Sequence, residues 1–191
     1  MTIAARFRAV PSLTGDAAVF DARDAPADPV ALFLSWLDDA LDRCVAEPLS
    51  MTLATVDSDG MPDARTVILK DVSERGWAFA GHRGSAKGRQ LADRPTAALA
   101  FWWQPLMRAV RVRGRVVEAS ADESAADLAA RSRSARAGIS PGEWMLWRVV
   151  PERVEFWQGR PDRDHVRLVY RWREHAWSHG IESARSGAAV L

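Results

Sequence analysis

The first regular pattern of apolar residues along the chain is helical. From residue 33 to residue 44, apolar side chains recur three and four positions apart, which is the spacing of one face of an α-helix: Phe33, Trp36, Leu37, Ala40, Leu41 and Cys44. Asp28 and Pro29 suit the N-cap and the first position of a helix. The pattern therefore predicts an amphipathic helix that begins at Pro29 and ends near Pro48, with Cys44 as a small buried residue.

From Ser50 onward the apolar positions follow the two-residue period of β-strands. MTLATV and RTVILK flank the turn sequence DSDG and are predicted to form a hairpin, with a third strand in GWAFAGH. Later strands are predicted in TAALAFWW, MRAVRVRGRVVEA, WMLWRVVPERVEFWQG and RLVYRWREHAW. Two helices lie between them: AKGRQLADR, capped by Ser85, and ADESAADLAARS, which opens with a capping box of Ser120 and Glu123.

This order of elements predicts a mainly β fold. Many short antiparallel strands with few helices are typical of a closed or nearly closed β-barrel with peripheral helices. The sequence has neither a βαβ alternation nor a GxGxxG motif, which argues against a Rossmann fold. A chain of 191 residues has room for one domain with a sizeable core, predicted over residues 28–191. Residues 1–27 are polar and irregular and are predicted to form an N-terminal arm.

The composition narrows the class of protein. An apolar fraction of 48% and a charged fraction of 27% are those of a soluble globular protein. No apolar run approaches the roughly 18 residues that span a bilayer, and the start of the chain lacks a secretory signal, so neither a membrane partner nor secretion is predicted. One cysteine excludes an intramolecular disulfide, which predicts a cytoplasmic protein.

The basic residues are numerous but balanced by acids. The net charge of +1 argues against a nucleic-acid partner, although Arg108–Arg115 carries four arginines and no acid. Of 26 basic residues only Lys70 and Lys87 are lysines. Each marks a place that needs a compact ammonium group, or else the two lysines have no special meaning; the residues alone leave both interpretations open.

One loop has the features of a phosphate site. In GHRGSAKGR, glycines permit close backbone approach, Ser85 offers a hydroxyl group, and Lys87 lies in the first turn of a predicted helix. Helix N-termini favour anions, and the spacing is not that of a Walker A motif. Arg65 and Lys70 lie at the two ends of the apolar strand RTVILK and point to opposite faces. Either both contact ligands or both lie at solvated strand ends, and the residues alone favour the solvated ends.

A second candidate segment is EFWQGRPDRDHVRLVY. Arg163, His165 and Arg167 occupy alternate positions, so in an extended strand they would share one face, either as a solvated edge or as a wall that holds an anion. The spacing of the histidines fits no metal site, and no nucleophile motif such as GxSxG is present. If the protein is an enzyme, a cofactor supplies the difficult chemistry.

Four segments together resemble the pyridoxamine 5′-phosphate oxidase family of flavin-dependent split-barrel proteins. DPVALFLSWL, MTLATVDSDGMPDARTVILK, GSAKGRQL and EFWQGRPDRDHVRLVY follow one another in the family's order, over about residues 28–177. The resemblance implies a six-stranded antiparallel FMN-binding split barrel over residues 28–191, which forms a homodimer with FMN at the subunit interface.

The resemblance also implies roles for individual residues. Those expected to bind FMN are Arg65, Thr66, Val67, Ile68, Leu69, Lys70, Ala80, Gly81, Ser85, Lys87, Trp157 and Arg167. Of these, Trp157 and Arg167 would contact the flavin from the neighbouring subunit. The residues expected to hold a phosphorylated substrate are Lys70, Arg133, Arg163 and His165. No metal ligand is implied.

The implied activity is that of an FMN-dependent oxidase. A small anionic substrate with an amine or alcohol group would pass a hydride to the flavin, and dioxygen would reoxidise it. Where the family has a substrate-binding tyrosine and serine, this chain has Ala129 and Ala137. The alternatives are therefore a secondary-metabolite flavin oxidase, as in phenazine biosynthesis, and a non-catalytic protein that binds FMN or pyridoxal phosphate.

Overall fold

The fold was obtained as a computed structural model, which describes residues 1–16, 20–140 and 142–182. The strands are β1 (Ser50–Val56), β2 (Pro62–Ser73), β3 (Gly76–His82), β4 (Thr96–Trp103), β5 (Arg108–Glu118), β6 (Trp144–Gln158), β7 (Val166–Arg173) and β8 (Ala176–Ile181). The helices are α1 (Ile3–Arg8), α2 (Pro29–Asp42), α3 (Ala86–Asp93), α4 (Ala121–Ala130) and α5 (Arg133–Arg136), with 3₁₀ turns at Ala22–Asp24 and Gln104–Leu106.

The strands form one antiparallel sheet in the order β3-β2-β1-β4-β5-β6-β7-β8. An additional pairing of β3 with β6 closes the first six strands into a barrel, and β7 and β8 continue the sheet outside it. The fifteen-residue strand β6 makes this possible, because its first half pairs with β3 and its second half with β7. The predicted six-stranded antiparallel barrel is confirmed.

Helix α2 packs on the barrel as its apolar period predicts. The Asp28 carboxylate caps the helix by accepting a hydrogen bond from the Val30 N–H, at 3.0 Å. Phe33 is fully buried against Trp77 and Phe101. The prediction that Cys44 is buried is wrong: the helix ends at Asp42, and Cys44 lies beyond it, exposed, with a left-handed φ of 52°.

Part of the N-terminal segment packs against the barrel. The Tyr170 hydroxyl donates a hydrogen bond of 2.7 Å to the Pro26 carbonyl oxygen, and Phe20 meets Trp36 edge to face at a centroid distance of 5.1 Å. Burial, with a smaller contribution from the nearby Asp28 carboxylate, raises the pKa of Tyr170 to about 12. The hydroxyl is therefore a hydrogen-bond donor throughout the physiological pH range.

The prediction that Arg163, His165 and Arg167 share a face of one strand is wrong. β7 begins only at Val166, and Arg163 lies in the preceding turn with a φ of 68°. Pro161 has no backbone N–H, and the Asp162 carboxylate accepts a hydrogen bond from the Asp164 N–H, so this segment is held as a turn. The predicted strand RLVYRWREHAW likewise divides into β7 and β8 at Glu174 and His175, which both have positive φ.

Among the residues that the structure describes, no helix has the length and apolar character needed to cross a membrane.

Candidate functional site

Among the residues that the structure describes, those predicted for the site fall mainly into three clusters of polar side chains, and the first surrounds the start of α3. The Ser85 hydroxyl caps this helix by accepting a hydrogen bond from the Gly88 N–H, and it donates one to the His82 carbonyl oxygen. Lys87 folds back so that Nζ lies 3.1 Å from Ser85 Oγ and 5.9 Å from the centre of the Trp147 ring. The glycine at position 81 makes room for this ammonium group, because a Cβ atom there would lie 2.3 Å from Nζ.

Arg65 on β2 completes the first cluster. Its guanidinium group donates hydrogen bonds to Thr55 Oγ1, to Asp63 Oδ2 at 2.5 Å and to Gln90 Oε1 at 2.9 Å. The hydrogen bond from Gln90, and further the positive charge of Arg65, lower the pKa of the Asp63 carboxylate. Since Gln90 belongs to α3, these bonds connect the strand to the helix and fix the guanidinium group against it.

The first cluster has the electrostatics of an anion site. Burial lowers the pKa of Lys87, and the positive charge of Arg65 lowers it further. Lys87 lies in the first turn of α3, where the backbone also favours negative charge, and it and the nearby Arg65 repel each other. A phosphate group between them would relieve this repulsion. The donor set and the space at Gly81 therefore fit the phosphate group of a nucleotide cofactor.

The second cluster lies where β6 and β7 pair. Trp157 and Arg167 are directly opposite each other in the strand register. The Trp157 ring lies 4.9 Å from the His165 ring and 6.1 Å from the exposed Trp102 ring, centre to centre. His165 Nδ1 accepts a hydrogen bond of 3.0 Å from the Arg160 N–H, so the neutral ring carries its proton on Nε2. Arg163, two residues away, is exposed in the turn.

A buried carboxylate holds the arginine of this second cluster in place. Glu155 is only 3% exposed, and it accepts hydrogen bonds from Arg167 at 3.0 Å, from Arg111 at 3.1 Å and from Arg153 at 2.8 Å. A buried carboxylate needs such partners, since an unpaired charge would be costly to bury. Arg111 belongs to the arginine-rich segment Arg108–Arg115 of β5, and it pairs with an acid of its own chain.

The third cluster joins β2, α4 and β6. Lys70 lies at a bulge of β2, between Leu69 and Asp71, and its Nζ is 3.8 Å from Asp127 Oδ1. The other oxygen of Asp127 accepts a hydrogen bond of 2.8 Å from Trp144 Nε1. The Arg131 guanidinium group lies over the Trp144 ring, 4.4 Å from its centre. Arg133, which the resemblance places beside Lys70, is exposed on the short helix α5.

The first two clusters are far apart within one chain. Gly81 pairs with Met145 near the start of β6, whereas Trp157 is next to the last residue of that strand. At about 3.3 Å per residue, most of the length of β6 separates them, which is more than the length of an FMN molecule. A single ligand that uses both clusters must therefore take them from two different chains.

The remaining predicted residues line β2 and β3 between these clusters. Along β2 the side chains of Val67 and Leu69 are on the more buried face with Arg65, and those of Thr66 and Ile68 are on the exposed face with Lys70. Ala80 is half-buried next to Gly81.

Sequence reasoning missed polar and aromatic residues in all three clusters, among them Asp63, Gln90, Asp127, Arg131, Trp144 and Glu155. The sequence contains a signal for Glu155, because Glu155 alternates with arginine in PERVEF and its strand pairs with the arginine-rich strand β5. The position of Asp127 had none, because it depends on how α4 packs against β2.

The chain matches two family models. Residues 37–158 match the model described as pyridoxamine 5′-phosphate oxidase. Residues 144–181 match the model described as the pyridoxine 5′-phosphate oxidase C-terminal dimerisation region. The second match covers β6, β7 and β8 with the Trp157 cluster.

Two similar proteins are described as pyridoxine/pyridoxamine 5′-phosphate oxidases, and a similar solved structure is that of PhzG. A pyridoxine/pyridoxamine 5′-phosphate oxidase of Burkholderia multivorans is 42% identical, over 88% of this chain and 92% of the relative. One from Pseudomonas paraeruginosa is 39% identical, over 81% and 88%. The crystal structure of PhzG from Burkholderia lata in complex with tetrahydrophenazine-1-carboxylic acid superposes with a TM-score of 0.80 at 26% identity, covering 88% of this chain and 99% of that one.

Proposed function

The chain belongs to the pyridoxamine 5′-phosphate oxidase family, and we propose that it is an FMN-dependent oxidase of a small anionic amine or alcohol. The observation that carries the proposal is the set of donors around α3: Lys87 in its first turn, with Nζ 3.1 Å from Ser85 Oγ and packed over Gly81, and Arg65 bonded to Gln90 of the same helix. This set of donors suits the phosphate group of FMN.

The cofactor is held through its phosphate group and along β2. Lys87 and Arg65 bind the phosphate oxygens, with the Ser85 hydroxyl beside them, and Gly81 keeps the ammonium group in reach. Residues 66–70 and Ala80 line the rest of the FMN site. The chemistry that FMN supplies when bound is the acceptance of a hydride from a substrate C–H bond, followed by reoxidation by dioxygen to give peroxide.

The substrate is oriented by side chains rather than attacked by a nucleophile. His165 donates a hydrogen bond from Nε2, since Nδ1 is occupied by the Arg160 N–H, and Arg163 contributes positive charge from the adjacent turn. Lys70 binds the anionic group of the substrate. These residues contribute orientation and charge, which act on the rate by holding the substrate in a reactive position.

The active unit is a homodimer. Trp157 lies too far along β6 from Gly81, with Arg167 opposite it on β7, for the two residues to complete the site of their own chain, and the segment that carries them matches a dimerisation region. Each FMN is therefore bound by Arg65 and Lys87 of one subunit and by Trp157 and Arg167 of the other. The exposed Trp102 beside Trp157 lies in this interface.

An absorption experiment tests the proposed function. The protein as purified, or after FMN is added and the excess removed, is expected to show the visible spectrum of a bound flavin. Anaerobic addition of a substrate is expected to bleach that spectrum, and dioxygen is expected to restore it. Pyridoxamine 5′-phosphate and amine-bearing cyclic carboxylic acids are the compounds to compare. A protein that takes up no FMN would refute the proposal, and one that binds FMN but is bleached by neither class would be a binding protein instead.

A substitution at Gly81 tests the phosphate site without changing its charge. In Gly81→Ala the added methyl group would lie 2.3 Å from Lys87 Nζ, so the ammonium group has to move away. We expect FMN to bind about tenfold more weakly, because part of one charge-assisted hydrogen bond is lost. Titration with FMN, followed by quenching of flavin fluorescence, measures the change.

Gly84→Ala is the matched control for this substitution. Gly84 lies in the same loop, and a Cβ atom there meets no other atom within 4 Å. We expect the affinity of this variant for FMN to equal that of the wild type. Equal losses in both variants would show that the loop backbone, and not the position of Lys87, sets the affinity.

A secondary-metabolite oxidase is the second candidate function. It is favoured by the structural neighbour PhzG, whose crystal structure contains a tricyclic carboxylic acid. Bleaching by a carboxylated but not by a phosphorylated compound would favour this narrower candidate.

A further inference from the structure

The third cluster contains a charge of the wrong sign for a phosphate subsite. Lys70 is the residue proposed to bind the anionic group of the substrate, yet its ammonium group is paired with Asp127 at 3.8 Å. The exposed fraction of the side chain is 27% for Lys70 and 14% for Asp127. Both charges are therefore partly shielded from water. As a result they act on each other and on a nearby ligand more strongly than they would at an open surface.

The aspartate is held in this position and cannot simply turn away. Trp144, which is 7% exposed, donates the indole N–H to Asp127 Oδ2 at 2.8 Å. The Arg131 guanidinium group covers the Trp144 ring and donates a hydrogen bond to the Ala135 carbonyl oxygen. The Asp127 carboxylate is thus held in place by the buried Trp144 ring, which is in turn held in place by Arg131.

Neighbouring acids are occupied by another cation. Glu123, one turn before Asp127 on α4, and Asp71, next to Lys70 on β2, both accept hydrogen bonds from Arg148, at 3.1 Å and 2.6 Å. Asp127 is therefore the acid of these two elements that faces Lys70. Lys70 and Arg131 alone would carry a net charge of +2, and Asp127 reduces the net charge of the cluster to +1.

We infer that Asp127 is a specificity-determining residue, which shifts the preference of the subsite at Lys70 away from a doubly charged phosphate and toward a singly charged carboxylate. This inference rests on the proposed function of Lys70 in substrate binding. A ligand anion beside Lys70 also lies near the Asp127 carboxylate, and the resulting repulsion is proportional to the charge of the ligand. Asp127 therefore weakens the binding of a dianion by twice as much, in free energy, as that of a monoanion.

The test compares two aromatic anions that differ in charge. Phenyl phosphate is a dianion at about pH 8, well above its second ionisation, and benzoate is a monoanion. Their dissociation constants are measured by calorimetry for the wild type and for Asp127→Asn, which keeps an oxygen acceptor for Trp144 but has no charge. We expect the variant to bind phenyl phosphate about tenfold more tightly and benzoate about threefold more tightly, and we expect added salt to reduce both gains.

Asp122→Asn is the control for net charge. Asp122 lies on the same helix and is exposed, so its removal changes the charge of the chain without changing the Lys70 cluster. We expect it to leave the ratio of the two dissociation constants unchanged. Equal gains for both anions in Asp127→Asn, or no gain for either, would overturn the inference and leave Asp127 with a structural role toward Trp144.

The same titrations separate this inference from the proposed function. They are carried out on protein loaded with FMN and on protein without it, and the flavin content is measured by absorption. A protein that binds no FMN would refute the proposed function, while the change in anion preference in the FMN-free protein still decides the role of Asp127.

Discussion

Replacement of Lys87 by methionine is expected to weaken FMN binding by about 10- to 150-fold. The methionine fills the space of the lysine stem under Gly81 but offers no ammonium group to a phosphate. A hydrogen bond that involves a charged group contributes about 1.5–3 kcal/mol, which corresponds to that range of affinities. Fluorescence titration with FMN measures the loss, and the far-ultraviolet circular dichroism of the variant is expected to match that of the wild type.

The pH dependence of FMN binding identifies Lys87 as the cause of the loss. Burial and the charge of Arg65 lower its pKa below the ordinary value of 10.5 in the free protein, whereas a bound phosphate dianion favours the charged form and raises the pKa again. Above the lowered pKa, binding must therefore take up a proton. We expect the affinity of the wild type to fall by up to about tenfold per pH unit in that range, and we expect this fall to be absent in Lys87→Met.

Arg94→Met is the matched control for Lys87→Met, because it also replaces one positively charged side chain by methionine. Arg94 lies at the C-terminal end of α3, where it donates a hydrogen bond to the Ser58 carbonyl oxygen. We expect its affinity for FMN to stay within twofold of the wild type. If Arg94→Met lost as much affinity as Lys87→Met, or if the pH dependence persisted without Lys87, the phosphate would have to be placed elsewhere.

Features that depend on neighbouring residues could be predicted from the sequence. The caps at Asp28, Ser85 and Ser120 are all present, because each needs only a side-chain oxygen and a backbone N–H two or three residues away. The hairpin of β1 and β2 forms around the turn predicted at DSDG. Cys44 was misplaced because the helical period was extended past the last residue that has helical backbone angles.

Features that depend on long-range pairing could not be predicted from local patterns. The closure of the barrel by β3 and β6 brings Gly81 next to Met145, and a two-residue period of apolar residues does not specify which strands pair. The contact of Lys70 with Asp127 also depends on long-range packing, because it forms only when α4 packs against β2 and β6. The order of the motifs in the family, rather than the patterns, predicted that Arg65 and Lys87 lie in one site.

Replacement of Phe33 by alanine is expected to lower the free energy of unfolding by about 3–5 kcal/mol. Phe33 is fully buried, and its ring is 5.8 Å from that of Trp77, 5.0 Å from that of Phe101 and 6.0 Å from that of Trp103, centre to centre. These rings belong to strands of the closed barrel, and they cannot collapse into the space that the phenyl ring leaves. The loss is therefore that of a cavity as well as of buried apolar surface, and for a chain of this size it corresponds to a decrease in Tm of roughly 6–20 °C.

Leu34→Ala is the matched control on the same helix. Leu34 follows Phe33 in sequence but is 43% exposed, so its truncation is expected to cost less than about 1 kcal/mol. Thermal unfolding of both variants has to be compared at one protein concentration, because the stability of a dimer depends on it. If Phe33→Ala melted within 2 °C of Leu34→Ala, α2 would not unfold together with the barrel. Because α2 packs Phe33 against the aromatic rings of the barrel, we expect the helix and the barrel to unfold together. Both variants should therefore show a single cooperative transition.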